Sequence, residues 1–200
     1  MPTFDIETAA KTQGFKFVCG VDEAGRGPLA GPVCAAAVIL PEGLIIEGLN
    51  DSKKLTEKKR EALFDVIKNE ALAYSIAFAS VEEIEEVNIL NATFLAMNRA
   101  IEGLQIKADF ALIDGNKIPK GITVPAMPVT KGDALSYSIA AASVLAKVTR
   151  DRLMLNLGPE YDVYNFKKHK GYGTKEHIEA IKTYGISDIH RPSFLTKILK

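Results

Sequence analysis

Residues 18–33 read VCGVDEAGRGPLAGPV. The apolar run from Phe17 to Val21 is short and ends in two adjacent acids, Asp22 and Glu23, so it reads as a buried strand that delivers carboxylates to its end. Gly25, Arg26, Gly27 and Gly31 follow as a flexible turn carrying one cation. A second apolar run, Val33 to Leu40 (VCAAAVIL), begins directly after that loop. Two such runs separated by glycine and proline predict neighbouring strands buried on both faces, the centre of an α/β layer structure. Acids at a strand end, beside a glycine turn with an arginine, point to metal and phosphate chemistry. The pattern suits an acidic turn with an arginine counter-ion as well.

Composition narrows the class. Two hundred residues with 47% hydrophobic content, 15 glycines and 9 prolines fit one compact domain, here 1–200, able to bury a core without metal staples. No apolar run approaches the roughly 20 residues that span a bilayer, and residues 1–13 contain Asp5 and Glu7 but no signal-like apolar core. A cytoplasmic location is the expectation, and no long apolar patch demands a dimer, so a monomer is expected. Cys19 and Cys34 sit inside apolar runs, which predicts buried free thiols rather than ligands or a disulfide. The net charge is zero but uneven: residues 1–52 carry three Lys/Arg against seven Asp/Glu, and residues 161–200 carry eight against four. An acidic site and a basic face can therefore coexist, although a solvated C-terminal surface explains the second equally well.

Further along, Thr56 is a plausible N-cap for a helix over 57–70, with Ala62, Leu63, Val66 and Ile67 as its apolar face. Residues 73–79 predict a third strand. Ser80 is placed to cap a short acidic helix, 81–87, and Asn91 to open a longer one that frays near Gly103. Residues 110–113 predict a fourth strand, which again delivers an acid, Asp114, into a glycine turn. Residues 122–129 are extended, with Pro125 and Pro128 keeping them at an edge. Asp133 precedes a long helix, 134 to about 155, whose small residues permit close packing. The last forty residues hold the turn HKGYGT, a helix near 175–184 and the segment HRPSFL.

Asp22, Glu23, Asp114 and Asp133 thus lie at the ends or starts of predicted elements, where acids from distant parts of a chain can converge. Four carboxylates brought together repel unless a divalent cation neutralises them, and an oxygen-only donor set favours Mg²⁺ or Mn²⁺ over zinc. Two such ions roughly 4 Å apart can activate a water and stabilise a leaving oxygen in phosphodiester hydrolysis. Taken singly, Asp133 also suits a helix cap and Asp114 an Asx turn. The loop fits no nucleotide-binding pattern: its glycines fall as G-x-G-x-x-x-G, Pro28 interrupts them, and a strand follows where a helix is required.

The segments GVDEAGRGPLAGPV, DSKKL, LNATFLAMNRA, ALIDGN, KGDALSYSIAAASVLAKVTRD, HKGYGT and HRPSF together resemble bacterial ribonuclease HII, the type 2 ribonucleases H, almost end to end. The resemblance implies a ribonuclease H-like fold: a mixed five-stranded sheet flanked by helices, with a helical C-terminal extension over about 160–200. It implies an endoribonuclease that cuts the RNA strand of RNA–DNA hybrids and cuts 5′ of ribonucleotides embedded in duplex DNA, leaving a 5′-phosphate and a 3′-hydroxyl. On the matching positions, Asp22, Glu23, Asp114 and Asp133 would bind Mg²⁺ or Mn²⁺, Gly25, Arg26 and Gly27 would read the 2′-hydroxyl, and Tyr172 would pack on the following deoxyribose. A 2′-hydroxyl is the one group that distinguishes RNA from DNA at a given position, so a glycine loop beside the acids is a sensible reader. Tyr172 alone would equally suit the core.

Lys53, Lys54, Lys147, Arg150, Lys167, Lys168 and Lys170 are candidate phosphate contacts, each equally explained as surface charge, and Lys147 is spaced for a helical pair with Asp151. His190 beside Arg191 is expected to be structural, and His169 has no assigned role. Ribonuclease HIII is the nearest rival, but that group carries G-K-G and an extra N-terminal domain. Arg26 and only sixteen residues before the first predicted strand favour HII. A non-catalytic hybrid-binding module of the same fold is the alternative of another class; the acids argue against it, because they repel phosphate.

Overall fold

The computed structural model describes residues 1–199. Helix α1 (Asp5–Thr12) precedes β1 (Val18–Ala24) and β2 (Val33–Ile39); α2 (Glu57–Glu70), β3 (Ala73–Ala79), α3 (Val81–Glu102), β4 (Phe110–Asp114) and β5 (Ala126–Val129) follow. A single turn, α4 (Gly132–Leu135), leads into the long α5 (Tyr137–Leu155), and the short α6 (Phe166–His169), α7 (Lys175–Tyr184) and α8 (Pro192–Leu195) complete the chain. The sheet has the order β3-β2-β1-β4-β5. Its first three strands are antiparallel neighbours, whereas β1, β4 and β5 run parallel, so the sheet is mixed and five-stranded with helices on both faces. Helix α1 was not anticipated from the sequence.

Strand β2 is buried along its whole length, as its unbroken apolar run requires. On one face, Cys19, Val21, Ala35 and Ile113 pack against Ala96, Met97 and Ala100 of α3. On the other, Cys34, Ala36 and Val38 meet Ala140, Ala141 and Leu145 of α5 and Leu63, Phe64 and Ile67 of α2. Both cysteines are buried free thiols. Helix α5 lies directly on β1: a Cβ at Gly20 would sit 2.2 Å from the Ile139 nitrogen. That contact brings the α5 backbone against the strand that carries Asp22.

Several boundaries differ from expectation. Strand β1 continues past Val21, because Asp22 and Glu23 still pair with Ala36 and Ala35 of β2. The strand predicted over 122–129 reduces to Ala126–Val129 at the sheet edge, where its prolines are tolerated. Helix α2 has the expected cap, with the Lys59 N–H donating to Thr56 Oγ1, but Ala62 and Val66 face outward and Phe64 takes their place in the core. Ser80 caps α3 with a reciprocal Glu83 contact, and the break in that helix is at Asn88 (φ 67°), three residues before Asn91. Asn88 Oδ1 accepts from the N–H groups of Leu90 and Asn91, so it is Asn88 that restarts the helix.

The helix expected from 134 to 155 is likewise two. Extended backbone at Ser136 separates α4 from α5, and Ser136 Oγ caps α5 by accepting from the Ile139 N–H. Buried Glu7 of α1 stabilises this break, its Oε1 accepting from the Ser136 and Ser138 hydroxyls and the Ser138 N–H. Asp133 therefore does not cap the long helix. The C-terminal helices pack around Leu29, Ala30, Met154, Tyr164, Phe166, Ile181 and Leu195, a cluster apart from the sheet core. Among the described residues, no helix is long and apolar enough to cross a membrane.

Candidate active site

Strands β1 and β4 are parallel neighbours, with Val21 level with Ile113. Asp22 and Asp114 therefore emerge side by side, and the alternation of a strand turns Glu23 to the opposite face. Asp22 is buried against α5 with Ser143 at its side, and its Oδ1 accepts from the Glu23 N–H at 2.7 Å. Asp114 Oδ1 accepts from the Gly132 N–H at 2.7 Å, which ties β4 to α4 and holds Asp133 alongside. The Asx-turn reading of Asp114 does not hold.

Electrostatics distinguish this group from the other surface acids. Burial, then the charges of Glu23 and Asp114, push the Asp22 carboxyl well above its ordinary range. Burial also raises Glu23, against the lowering effect of Arg26, and raises Asp133 together with the Asp114 charge. Among the described residues, two cations pair with these acids: Lys53 Nζ lies 3.3 Å from Asp133 Oδ2, and Arg26 Nη1 lies 3.4 Å from Glu23 Oε1. Burial opposes the Lys53 charge, but Asp133 and Asp22 outweigh it and hold the ammonium above its usual range.

No three His, Cys, Asp or Glu side chains among the described residues already stand in ligating geometry around one point. The donor set nonetheless fits a hard divalent cation: it is all carboxylate, it is short of positive charge, and Asp22, Glu23 and Asp133 resist ionisation where they stand.

The glycine loop forms the adjoining wall. Gly25, Arg26, Gly27 and Tyr172 line one cleft with Asp22, Glu23, Asp114, Ser52, Lys53, Ser143 and Lys147. Gly25 adopts φ +97°, and a Cβ there would lie 2.1 Å from Arg150 Nε, so no other residue fits. Gly27 faces Tyr172, whose Cε1 is 3.9 Å from where a Cβ would be. The cleft thus joins a carboxylate group, a backbone-lined loop and a half-exposed tyrosine ring.

The family model for ribonuclease HII matches residues 19–197. The ribonuclease HII of Caldicellulosiruptor bescii is 57% identical over 98% of this chain and 95% of its own. The chain belongs to the ribonuclease HII family. The crystal structure of ribonuclease H2 from Pyrococcus horikoshii OT3 is similar with a TM-score of 0.72 and 28% identity, covering 92% of this chain and 97% of that one. Bst-RNase HIII, solved in complex with Mn²⁺, shares the fold at a TM-score of 0.68 and 18% identity over 96% of this chain and 71% of its own.

Within this family member, the cations fall into two groups. Lys53 and Lys147 line the cleft, Lys147 paired with Asp151 at 2.7 Å and 5.6 Å from the Tyr172 ring centre. Lys167 and Lys168 pair with Asp162 and Glu176, and Lys54 lies 3.9 Å from Asp51, while Lys170 Nζ donates to the Lys167 carbonyl. Arg150 is no phosphate contact, because it is wholly buried and donates to the carbonyls of Ala30, Pro32 and Lys170.

Sequence reasoning missed Arg191, also fully buried, which donates to the carbonyls of Gly25, Arg26, Pro28 and Gly31. Burial and the Arg150 charge push it down to about 9. The three histidines are buried as well. His190 Nδ1 accepts from the Ser187 N–H, so its Nε2–H donates to His177 Nε2 at 3.0 Å, and His177 Nδ1–H donates to the Tyr172 carbonyl at 2.9 Å. His190 is structural, as expected.

Proposed function

We propose that this chain hydrolyses the RNA strand of RNA–DNA hybrids and incises duplex DNA on the 5′ side of an embedded ribonucleotide, leaving a 5′-phosphate and a 3′-hydroxyl. Membership of the ribonuclease HII family supports the type 2 ribonuclease H activity. The observation that carries the finer reading is the single cleft in which Asp22, Glu23 and Asp114 adjoin the Gly25–Gly27 loop and Tyr172. Asp22, Glu23, Asp114 and Asp133 are the residues that would hold Mg²⁺ or Mn²⁺, a choice the Mn²⁺ complex of the HIII neighbour also favours. Divalent ions at such a site activate water and offset charge on the scissile phosphate and leaving oxygen.

The chain's own residues supply the rest. The Asp22 and Asp114 carboxylates are fixed by backbone N–H donors, so they need little rearrangement to act as ligands. Arg26 and Lys53 sit at either side of the acids and are free to exchange their carboxylate partners for phosphate. Exposed N–H groups of the glycine loop accommodate a 2′-hydroxyl, and the Tyr172 ring offers a flat apolar face to the neighbouring sugar. Lys147 contacts the backbone beside it.

A duplex carrying one ribonucleotide, incubated with Mg²⁺ or Mn²⁺, tests this. The expected product is a single nick 5′ of the ribonucleotide with a ligatable 5′-phosphate, abolished by chelation. Absence of incision with either ion would favour a hybrid-binding module instead.

A further inference from the structure

The loop that lines the cleft is held from behind by a cation with no acidic partner. Arg191 donates five hydrogen bonds of 2.6–3.1 Å to four carbonyls of one segment, those of Gly25, Arg26, Pro28 and Gly31. Arg150 takes the carbonyls of Ala30 and Pro32 in the same segment at 3.0 Å. Neither guanidinium forms an ion pair within 4 Å among the described residues. Two buried like charges are costly, and here every side-chain hydrogen bond that compensates them goes to a peptide carbonyl, with the Phe194 ring 5.1 Å from Arg191 and the Tyr172 ring 6.0 Å from Arg150. Simple packing would be served as well by an apolar side chain.

Peptide geometry shows what the arrangement achieves. No peptide among the described residues is cis. In a trans peptide the C=O and the following N–H point in opposite directions. The carbonyls of Gly25 and Arg26 are turned onto Arg191, so the N–H groups of Arg26 and Gly27 are turned away from it. Those two residues are exposed, they line the cleft, and neither N–H donates to a protein acceptor among the described residues. Farther along the segment the Leu29 amide is occupied by the Gly171 carbonyl and that of Gly31 by the Ile189 carbonyl. Arg26 and Gly27 therefore present adjacent donors that face away from Arg191 and have no protein acceptor among the described residues, and Arg191 fixes their direction.

We infer that Arg191 is a positioning residue for substrate selection: it aims the Arg26 and Gly27 amides at the sugar oxygen that distinguishes a ribonucleotide. This rests on the reading of the glycine loop given above. Arg191 reaches no substrate. It acts through the peptide planes, which a lysine cannot do, because one ammonium cannot span four carbonyls.

The test uses Arg191→Lys in the full chain, with the all-DNA duplex as a competitor of a duplex containing one ribonucleotide. The expected result is a fall in kcat/KM for the ribonucleotide duplex of about tenfold or more, with the inhibition constant of the all-DNA duplex unchanged. Equal weakening toward both duplexes, or no change in either, would overturn the inference. A wild-type enzyme that binds both duplexes equally would instead overturn the loop reading itself.

Should the variant fail to fold, amide NMR of the wild-type protein decides. Arg26 and Gly27 N–H groups are expected to exchange freely without ligand and to shift only with the ribonucleotide duplex. Protection of either in the free protein would count against Arg191 as its aiming device.

Discussion

The two walls of the cleft are finished to different degrees. In the glycine loop every carbonyl that faces inward has a guanidinium or backbone donor, and the segment is closed by Arg191, Arg150, Ile189 and Gly171. Among the acids, three carboxyls are pushed upward by burial and by neighbouring carboxylates, and among the described residues only Lys53 and Arg26 pair with them. A recognition wall benefits from rigidity before the ligand arrives. A cation-binding wall benefits from a deficit of charge that the ion itself removes, at the expense of stability in its absence.

The sharpest way to break this contrast is Asp22→Asn. Loss of a ligand is expected to remove several kcal/mol of transition-state stabilisation, about a thousandfold in kcat. Because the folded-state value of Asp22 lies above the unfolded one, its ionisation weakens the metal-free fold as pH rises from the ordinary carboxylate range through the raised value. The metal-free variant should therefore melt higher than wild type at neutral pH, while added Mg²⁺ stabilises only the wild type. A lower melting temperature would show that Asp22 is compensated after all.

A smaller effect concerns the histidines behind the loop. Burial, reinforced by the His177 charge, lowers His190 to about 4, and His177 and His169 are lowered as well. Their contribution to stability is complete above about pH 6.5 and is lost as pH falls toward 4. Hydrogen exchange should show α7 and the Tyr172 turn loosening in that window before the sheet does. Simultaneous loosening would deny the C-terminal cluster its separate character. The smallest expected change is that of Lys147→Ala, whose ion pair with Asp151 already competes for it. A few-fold rise in KM and a salt slope reduced by about one are expected for a phosphate contact, against no change for a charge that only pairs with Asp151.

How much of this was readable in the sequence depended on range. Strand β2, the Thr56 and Ser80 caps, and the acids at strand ends are local patterns, and the structure has them where the pattern puts them. The breaks at Asn88 and Ser136 were not readable in place. The first rests on a left-handed residue, and the second on Glu7, about 130 residues away in the chain. Arg191 was hidden for the same reason: its partners lie some 160 residues earlier, and nothing in HRPSF says that the arginine turns inward. What the sequence offered for the acids was convergence at strand ends, which the parallel pairing of β1 with β4 realises for Asp22 and Asp114.

The two cysteines have a practical consequence. Cys19 and Cys34 are fully buried between sheet and helices, and burial raises each thiol to about 12, so neither offers a reactive thiolate near neutral pH. A cysteine introduced at Ile45, which is 84% exposed and is not among the residues that line the cleft, would be the one thiol open to a maleimide dye. Attachment there would let the enzyme be tracked on single duplexes with its native thiols left in place.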